Sequence, residues 1–530
     1  MSFWENPNII EKEHPIRRWI LLLNVILPTM IAIYSAVATI VVQNSIVGGM
    51  ALDGMYTPWI TILYLLGANT IVPVANRIAD RIGYKKLYFI GVILFFLGTL
   101  GTSLAFNFTT LGLSRLIEGV GAGFVFPVGM AIIVRNFSGK ELNLALNLYL
   151  GLGFGVGLGL GGLLPGYFAM YQLWQYGFLI TLPVILISLL IILFFHIESE
   201  KVNHGKFDYL GFLFFSIAIS SLLIALSEGN LKSTAEGWRA PFIIACFLLF
   251  FLAITLVIFI EKRAENPIIP LEAFKDPTFS IGCITLFALG MTIFSSFSMM
   301  VSYMENGLLY DKLTAGANML SYGIAMGLFS MIANILLKKF SPTFLSITGL
   351  SIVIFSLFLN NILTIQSGKL AIFSILFIKG AGVGLALGPT TAHALHHLSD
   401  KLKTDGATLL TFFRQVGGTY GGSILGIILI RRQIFHDQLF SATVNPHLSG
   451  FKYTMKKLTN HMINTAGLDP HDAAIRAKGA IINTIEKQSL IQSINDSFLT
   501  FGYIITGITA LIIVINFLQR FSLNSSEKKV

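Results

Sequence analysis

Arg115 and Glu118 stand three residues apart in the run R-L-I-E-G-V-G-A-G, residues 115–123, in the middle of a long apolar stretch. A charge in mid-membrane costs at least about 2.5 kcal/mol, so an acid placed there normally faces a cavity or a partner and marks a pathway. Glu118 is the one acid well inside any apolar stretch of this chain. It is a candidate proton carrier whose charge follows substrate or conformation. The alternative is a local ion pair, since positions i and i+3 share a helical face and Arg115 then simply neutralises its neighbour. Three further sets of residues carry chemistry. Lys379 precedes Gly380, Gly382 and Gly384, and Arg414 with Gln415 precedes Gly417, Gly418, Gly421 and Gly422. Buried cations of this kind attract anionic groups or snorkel and pair. His393, His396 and His397 sit near the end of an apolar stretch, where they either carry protons or meet lipid headgroups. No nucleophile–base spacing, phosphate-binding loop or metal constellation occurs among the polar residues of these stretches, so no enzyme and no bound metal are expected.

The elements that must position these groups follow from composition. Of 530 residues, 54% are hydrophobic and 12% charged, and the mean hydropathy is +0.76. The solvent for most of the chain is therefore lipid. Runs of about 20 apolar residues succeed one another from Trp19 to Leu518, about fourteen in all, and lipid cannot hydrogen-bond a bare backbone. An all-α polytopic protein is expected, with six spans in residues 1–197, two extra spans in a linking region 198–277, and six in residues 278–530. Residues 431–495 form the one long loop, on the face away from the termini. Within it, Asp469, Pro470 and Asp472 read as a helix start, with Ala474, Ala477, Ile481 and Ile485 along one stripe. That helix is a lid on the outer surface or a docking site for a partner.

The formal charge of +10 is spread over short loops, not gathered on one helix, which argues against a nucleic-acid partner. Only Lys232, Arg239, Lys312 and Lys369 fall in the short loops opposite the termini, so the positive-inside rule puts both termini in the cytoplasm. Residues 1–18 mix acids with bases and lead into a stretch without a small-residue cleavage site, so no cleaved signal peptide is expected. Cys246 and Cys283 lie in apolar stretches and form neither a disulfide framework nor a metal site.

Residues 74–86, V-A-N-R-I-A-D-R-I-G-Y-K-K, make a basic, glycine-punctuated hairpin between the second and third spans. This hairpin resembles the G-x-x-x-D-R-x-G-R/K-R/K loop of the major facilitator superfamily. The match is carried by Asp80, Arg81, Gly83, Lys85 and Lys86, with Asn76 in place of the leading glycine. An acid at such a junction can face the positive end of a helix in the other block and act as a conformational latch. Residues 115–121 resemble the superfamily's R-x-x-Q-G-x-G, with Glu118 where glutamine is usual. Residues 151–162, G-L-G-F-G-V-G-L-G-L-G-G, resemble its antiporter motif through Gly153, Gly157, Gly161 and Gly162, with Leu158 replacing a proline. Small residues at this spacing let helices approach closely and slide. Phe207–Gly211 and residues 412–418, together with the two extra spans, are similar to the fourteen-helix drug:proton antiporter branch.

The resemblance implies two six-helix bundles around a cavity exposed alternately to either side. It also implies export of lipophilic or amphiphilic compounds, multidrug efflux, across the inner membrane of a bacterium. The proton gradient supplies the energy and no cofactor is needed. Members of the branch carry an acid in the first span, where this chain has Ser35, so Glu118 becomes the substitute proton site, with Arg115. Ser35, Phe124, Asn147, Phe294, Phe297, Asn318, Phe412 and Arg414 are the candidate cavity residues. A periplasmic adaptor leading to an outer-membrane channel is the expected partner besides lipid and substrate. The alternatives are a dedicated exporter of one metabolite, such as a siderophore, and a transport-inactive scaffold or sensor.

Overall fold

The computed structural model describes residues 15–198, 207–229, 237–264, 267–444, 447 and 449–527, and among them no strand occurs. Residues 1–14 and 199–206, and the expected outer-loop base Lys232, lie outside the described residues. The chain is helical because, within lipid, only an i to i−4 ladder satisfies each peptide group inside its own segment. The first block contains α1 (Ile16–Gly49), α2 (Gly54–Ile82), α3 (Tyr84–Ser103), α4 (Phe108–Asn136), α5 (Gly139–Met170) and α6 (Tyr176–Phe195). Then come α7 (Tyr209–Glu228) and α8 (Pro241–Glu261), followed by α9 (Pro277–Gly307), α10 (Lys312–Leu336), α11 (Pro342–Ile362) and α12 (Lys369–His396). The chain closes with α13 (Asp400–Thr443), α14 (Ser449–Ala466) and α15 (Pro470–Glu527).

Starts are set by capping chemistry. Asn107 and Thr110 form a reciprocal box at α4, and Asp276 accepts from the amides of Thr278 and Phe279 ahead of Pro277 at α9. Two helices carry wide π-type turns, Tyr149–Phe154 in α5 and Tyr303–Gly307 in α9. Such turns often mark functional positions in a helix.

Among the described residues thirteen helices are long and apolar enough to span a bilayer, where fourteen spans were expected. The difference is α13, which holds the expected span 406–430 but mixes Arg414 and Gln415 with a glycine run. It nevertheless packs as a bundle member, between α9 and α15 and against α4. The expected loop 431–495 is corrected by the structure. Its residues are largely helical: α13 runs on to Thr443, α14 follows, and α15 starts at Pro470 and continues without a break through the last span. The start of α15 is as the sequence implies, with the His471 amide donating to Asp469 at 3.0 Å and Asp472 in the first turn. Ala473 and Ala477 are buried, and α14 packs along this projecting arm. Arg432 and His436 of α13 both bind the Asp496 carboxylate of α15, His436 Nε2 at 2.7 Å. This tie holds the two arms together.

The two blocks meet along two seams. α5 lies against α10 over most of its length, and α13 lies against α2 and α4. The extra helices attach at the second seam. Tyr420 donates to the Ile219 carbonyl at 3.0 Å and the Phe215 and Phe412 rings stand 5.6 Å apart, so α7 is bound to α13.

Candidate functional site

Glu118 and Arg115 are both fully buried, and they are joined at 2.7 Å through Arg115 Nη1 and Glu118 Oε2. The carboxylate is the centre of a larger knot. Ser35 of α1 donates to Oε1 at 2.5 Å and Thr99 of α3 at 3.1 Å, while Thr102 of α3 donates to Oε2 at 3.2 Å. Arg115 also donates to Ser35 Oγ at 2.9 Å and, through Nε, to the Ile60 carbonyl at 3.3 Å. Its guanidinium lies 4.6 Å from the Tyr64 ring centroid and 5.9 Å from that of Phe178. Four helices besides α4 thus hold one ion pair, three of them by hydrogen bonds. Ser35, where the resemblance leads one to expect an acid, is hydrogen-bonded to both charges. Both carboxylate oxygens accept two bonds, while Arg115 Nη2 has no hydrogen-bond partner; removing the Glu118 charge would leave Arg115 buried without its counter-charge, which is costly.

Tyr64 links this knot to a cavity between the bundles. A narrow slot of about 70 Å³ is lined by Ile33, Ala36 and Ile40 of α1, and by Thr61, Tyr64 and Leu65 of α2. Phe126 of α4, Phe154 of α5, Phe294 of α9 and Arg414, Gln415, Gly418 and Thr419 of α13 complete the lining. Ile40 is shared with a second cavity of about 190 Å³ towards the end remote from the hairpin, where Gln43, Asn44, Ser302, Glu305 and Asn306 supply polar groups. A drug-sized ligand needs roughly 300 Å³ or more, so the bundles or the three phenylalanines must part to admit one. Arg414 is 2% exposed; it lies 4.3 Å from the Phe154 ring centroid, and its Nη1 has no hydrogen-bond partner.

Phe294 and Arg414 therefore stand where the sequence reading put them, in the wall of the slot. The other expected cavity residues do not. Ser35 belongs to the ion-pair knot, and Phe124 is wedged on Gly91 of α3. Phe297 is fully buried core. Asn318 turns back to the Thr314 carbonyl at 2.8 Å, Asn147 sits on the α5–α10 seam, where Ser330 donates to its carbonyl at 2.7 Å, and Phe412 packs on α7. A helical face is readable from spacing, but which face meets the other bundle depends on tertiary packing. Tyr64, Phe154, Thr61 and Gln415 were missed for that reason. Glu305 was missed because α9 runs past the expected span end through a π-turn.

At the other end the slot is sealed. Asn69 donates to Thr419 at 2.9 Å and Thr411 to Met130 Sδ at 3.2 Å, joining α2 and α4 to α13. Beyond this layer the hairpin ties the blocks. Asn76 donates to the Thr404 carbonyl at 2.7 Å, and Arg77 pairs with Asp405 at 3.2 Å. The residue that replaces the motif's glycine thus makes a cross-block bond. Within its own block, Asp80 accepts from Tyr84 at 3.0 Å and lies 3.9 Å from Arg135, while Arg81 covers the Phe207 ring of the linking region. Gly83 has φ of +104°, and a Cβ there would run into the Glu198 carboxylate. That carboxylate accepts from the amides of Lys85 and Lys86, both at 3.2 Å, a negative charge at the positive end of α3. A cavity of about 560 Å³ opens at this end, lined by Arg135, Lys140, Asn143, His396, Lys403 and Thr404 among others. His393 and His397 stand beside it at the end of α12, and Lys379 is buried with its Nζ 4.5 Å from the Phe498 ring centroid, on the far side of the second block.

The glycine-rich helix α5 uses two faces. Gly153, Gly157 and Gly161 pack on Thr29, Met30, Ile33 and Tyr34 of α1, inside the block. Gly162 lies on the other face, with Gly151, Gly155 and Gly159, against Gly316, Leu320, Gly323 and Ser330 of the second block. The motif glycines therefore serve mostly the inner contact, and the alternate glycines make the seam.

The Major Facilitator Superfamily pattern matches residues 20–208 and 207–422 of this chain. Among curated relatives, the multidrug transporter protein MdtP of Bacillus subtilis is 28% identical over 476 residues, covering 88% of this chain and 87% of the relative. A multidrug resistance protein B homolog of Mycobacterium tuberculosis is 25% identical, over 78% of this chain and 77% of its own length. A lincomycin resistance protein, LmrB, of Listeria innocua is 23% identical, over 74% and 83% respectively.

Proposed function

Since the chain belongs to the major facilitator superfamily and is a multi-pass membrane transport protein, we propose that it exports lipophilic or amphiphilic compounds across the inner membrane of a bacterium, in exchange for protons, by alternating access. The observation that carries this reading is the buried Glu118–Arg115–Ser35 knot pressed against the slot through Tyr64. A proton on Glu118 removes the counter-charge of Arg115, and Arg115 is stacked on a residue of the slot wall. Ser35 adjoins Ala36, another wall residue. Loading the acid and reshaping the slot are then one event. One charge crossing 100 mV is worth about 2.3 kcal/mol, enough for roughly a fifty-fold concentration ratio of a neutral compound. The relatives named for multidrug and lincomycin resistance support an efflux role.

With both termini in the cytoplasm, the sealed hairpin end faces the cytoplasm and the conformation is outward-facing. The cross-block bonds of Asn76 and Arg77 are then the latch that closes the inner side, and the projecting arm of α13, α14 and α15 offers a periplasmic adaptor its contact. The reading is tested in everted membrane vesicles energised to be acid inside. Addition of a transported compound should release protons from the lumen, and collapse of the whole proton gradient, pH difference and potential together, by a protonophore should stop uptake. Uptake that persists without the gradient, or no uptake of any compound, contradicts it.

A further inference from the structure

We propose that the slot selects amphiphilic anions, aromatic carboxylates and their like, over lipophilic cations, with Arg414 as the anion-binding group; this rests on the transport reading above. Arg414 is 2% exposed, lines the slot, and has Nη1 without a hydrogen-bond partner. Its guanidinium lies over the face of Phe154, 4.3 Å away. An unpaired guanidinium held in an apolar site is expensive, and a ligand carboxylate is its natural complement because the planar fork matches two oxygens. The slot contains no acid: Glu118, the nearest candidate by sequence, is fully buried and bonded to Ser35, Thr99, Thr102 and Arg115. Aromatic walls from Phe126, Phe154 and Phe294 fit the apolar half of such a ligand.

The cavity on the hairpin side has the same polarity, and the cavity on the opposite side has the reverse. The cavity at the hairpin end is lined by Arg135, Lys140, His396 and Lys403 and by no carboxylate, although Asp80 stands 3.9 Å from Arg135. The cavity at the opposite end carries Glu305 and no base in its lining, with Lys312 bonded to Ser45 at its rim. An anion entering from the hairpin end meets bases, then Arg414, and leaves past a carboxylate. An inside-negative potential of 100 mV alone favours its exit about fifty-fold.

The test uses two fluorescent probes of one shape and opposite charge, 9-anthracenecarboxylate and 9-anthracenylmethylammonium. Binding to the purified full-length protein in lipid nanodiscs and flux in proteoliposomes are both measured, for wild type, Arg414→Lys and Arg414→Gln. Wild type should bind and move the carboxylate at least about tenfold better than the ammonium. Arg414→Gln should remove that preference by about tenfold or more without weakening ammonium binding, and Arg414→Lys should retain part of it. Equal handling of the two probes by wild type, preference for the ammonium, or an equal loss of both in Arg414→Gln overturns the proposal. Carboxylate binding lost in Arg414→Gln but without flux in any protein upholds the anion site and refutes transport. Binding of neither probe refutes the anion site itself.

Discussion

A single methyl group placed on either face of α5 separates a moving seam from a static one. Gly155 faces the second block, and a Cβ there would lie 2.6 Å from the Gly323 carbonyl oxygen. Gly157 faces α1 of its own block, and a Cβ there would lie 2.6 Å from the Met30 carbonyl oxygen. Ordinary contact begins at 3.4 Å, so each alanine demands about the same opening, roughly 0.8 Å, against backbone that cannot rotate away. Overpacking of this kind costs about 1–3 kcal/mol. The stability loss on thermal unfolding should therefore be similar for Gly155→Ala and Gly157→Ala. Their effects on transport should differ. If the blocks rock along α5 and α10, the strain at Gly155 enters the difference between conformations, and turnover should fall about 5- to 150-fold with little change in KM. Gly157 moves with α1 as one body, so its alanine variant should turn over at close to the wild-type rate per folded molecule. The assay is substrate flux in proteoliposomes, normalised to folded protein. Equal turnover in the two variants, whether both normal or both impaired, refutes the assignment of the two faces.

Other perturbations have equally definite outcomes. Glu118→Gln should destabilise the protein by about 3–5 kcal/mol in denaturant unfolding, since it strands a buried Arg115, and Arg115→Gln in the same chain should recover part of that loss; full additivity of the two would refute the coupling. Arg77→Ala breaks a pair whose side chains are each 15% exposed, so its effect on stability should be small, about 1 kcal/mol. Its effect on conformation should be larger: a cysteine introduced at Thr411, in the sealing layer, should become accessible to a thiol reagent from the hairpin side. Gly83→Ala should cost at least about 1 kcal/mol from its positive φ alone, and the Glu198 contact should raise that further. Asp496→Asn should loosen the arms of α13 and α15, read as faster amide exchange around His436, with no change at Glu118.

Much of this was legible in the sequence because it depends on local pattern. Uninterrupted apolar stretches specify helices in lipid, and the hairpin's glycine announces a backbone position with positive φ. The start of α15 is written in Asp469, Pro470 and Asp472. The pairing of Arg115 with Glu118 needed only their spacing. What local pattern does not carry is which residues of other helices meet them: Ser35 lies 83 positions from Glu118 and Thr99 lies 19, and nothing in either segment names its partner. The slot was half read for the same reason, since Phe294 and Phe297 look alike in sequence and only one reaches the slot. The polar composition that follows residue 430 concealed the extension of α13 to Thr443 and the helix α14, which packs on α15.

The central claim is that Glu118 couples proton entry to export. Proteoliposomes holding a pH-sensitive dye, an imposed pH gradient and a transported compound report both fluxes at once, for wild type and Glu118→Gln prepared at equal folded amounts. The account predicts compound-evoked proton flux in wild type and its loss in Glu118→Gln, with compound binding retained. Proton flux of wild-type size in Glu118→Gln would contradict it.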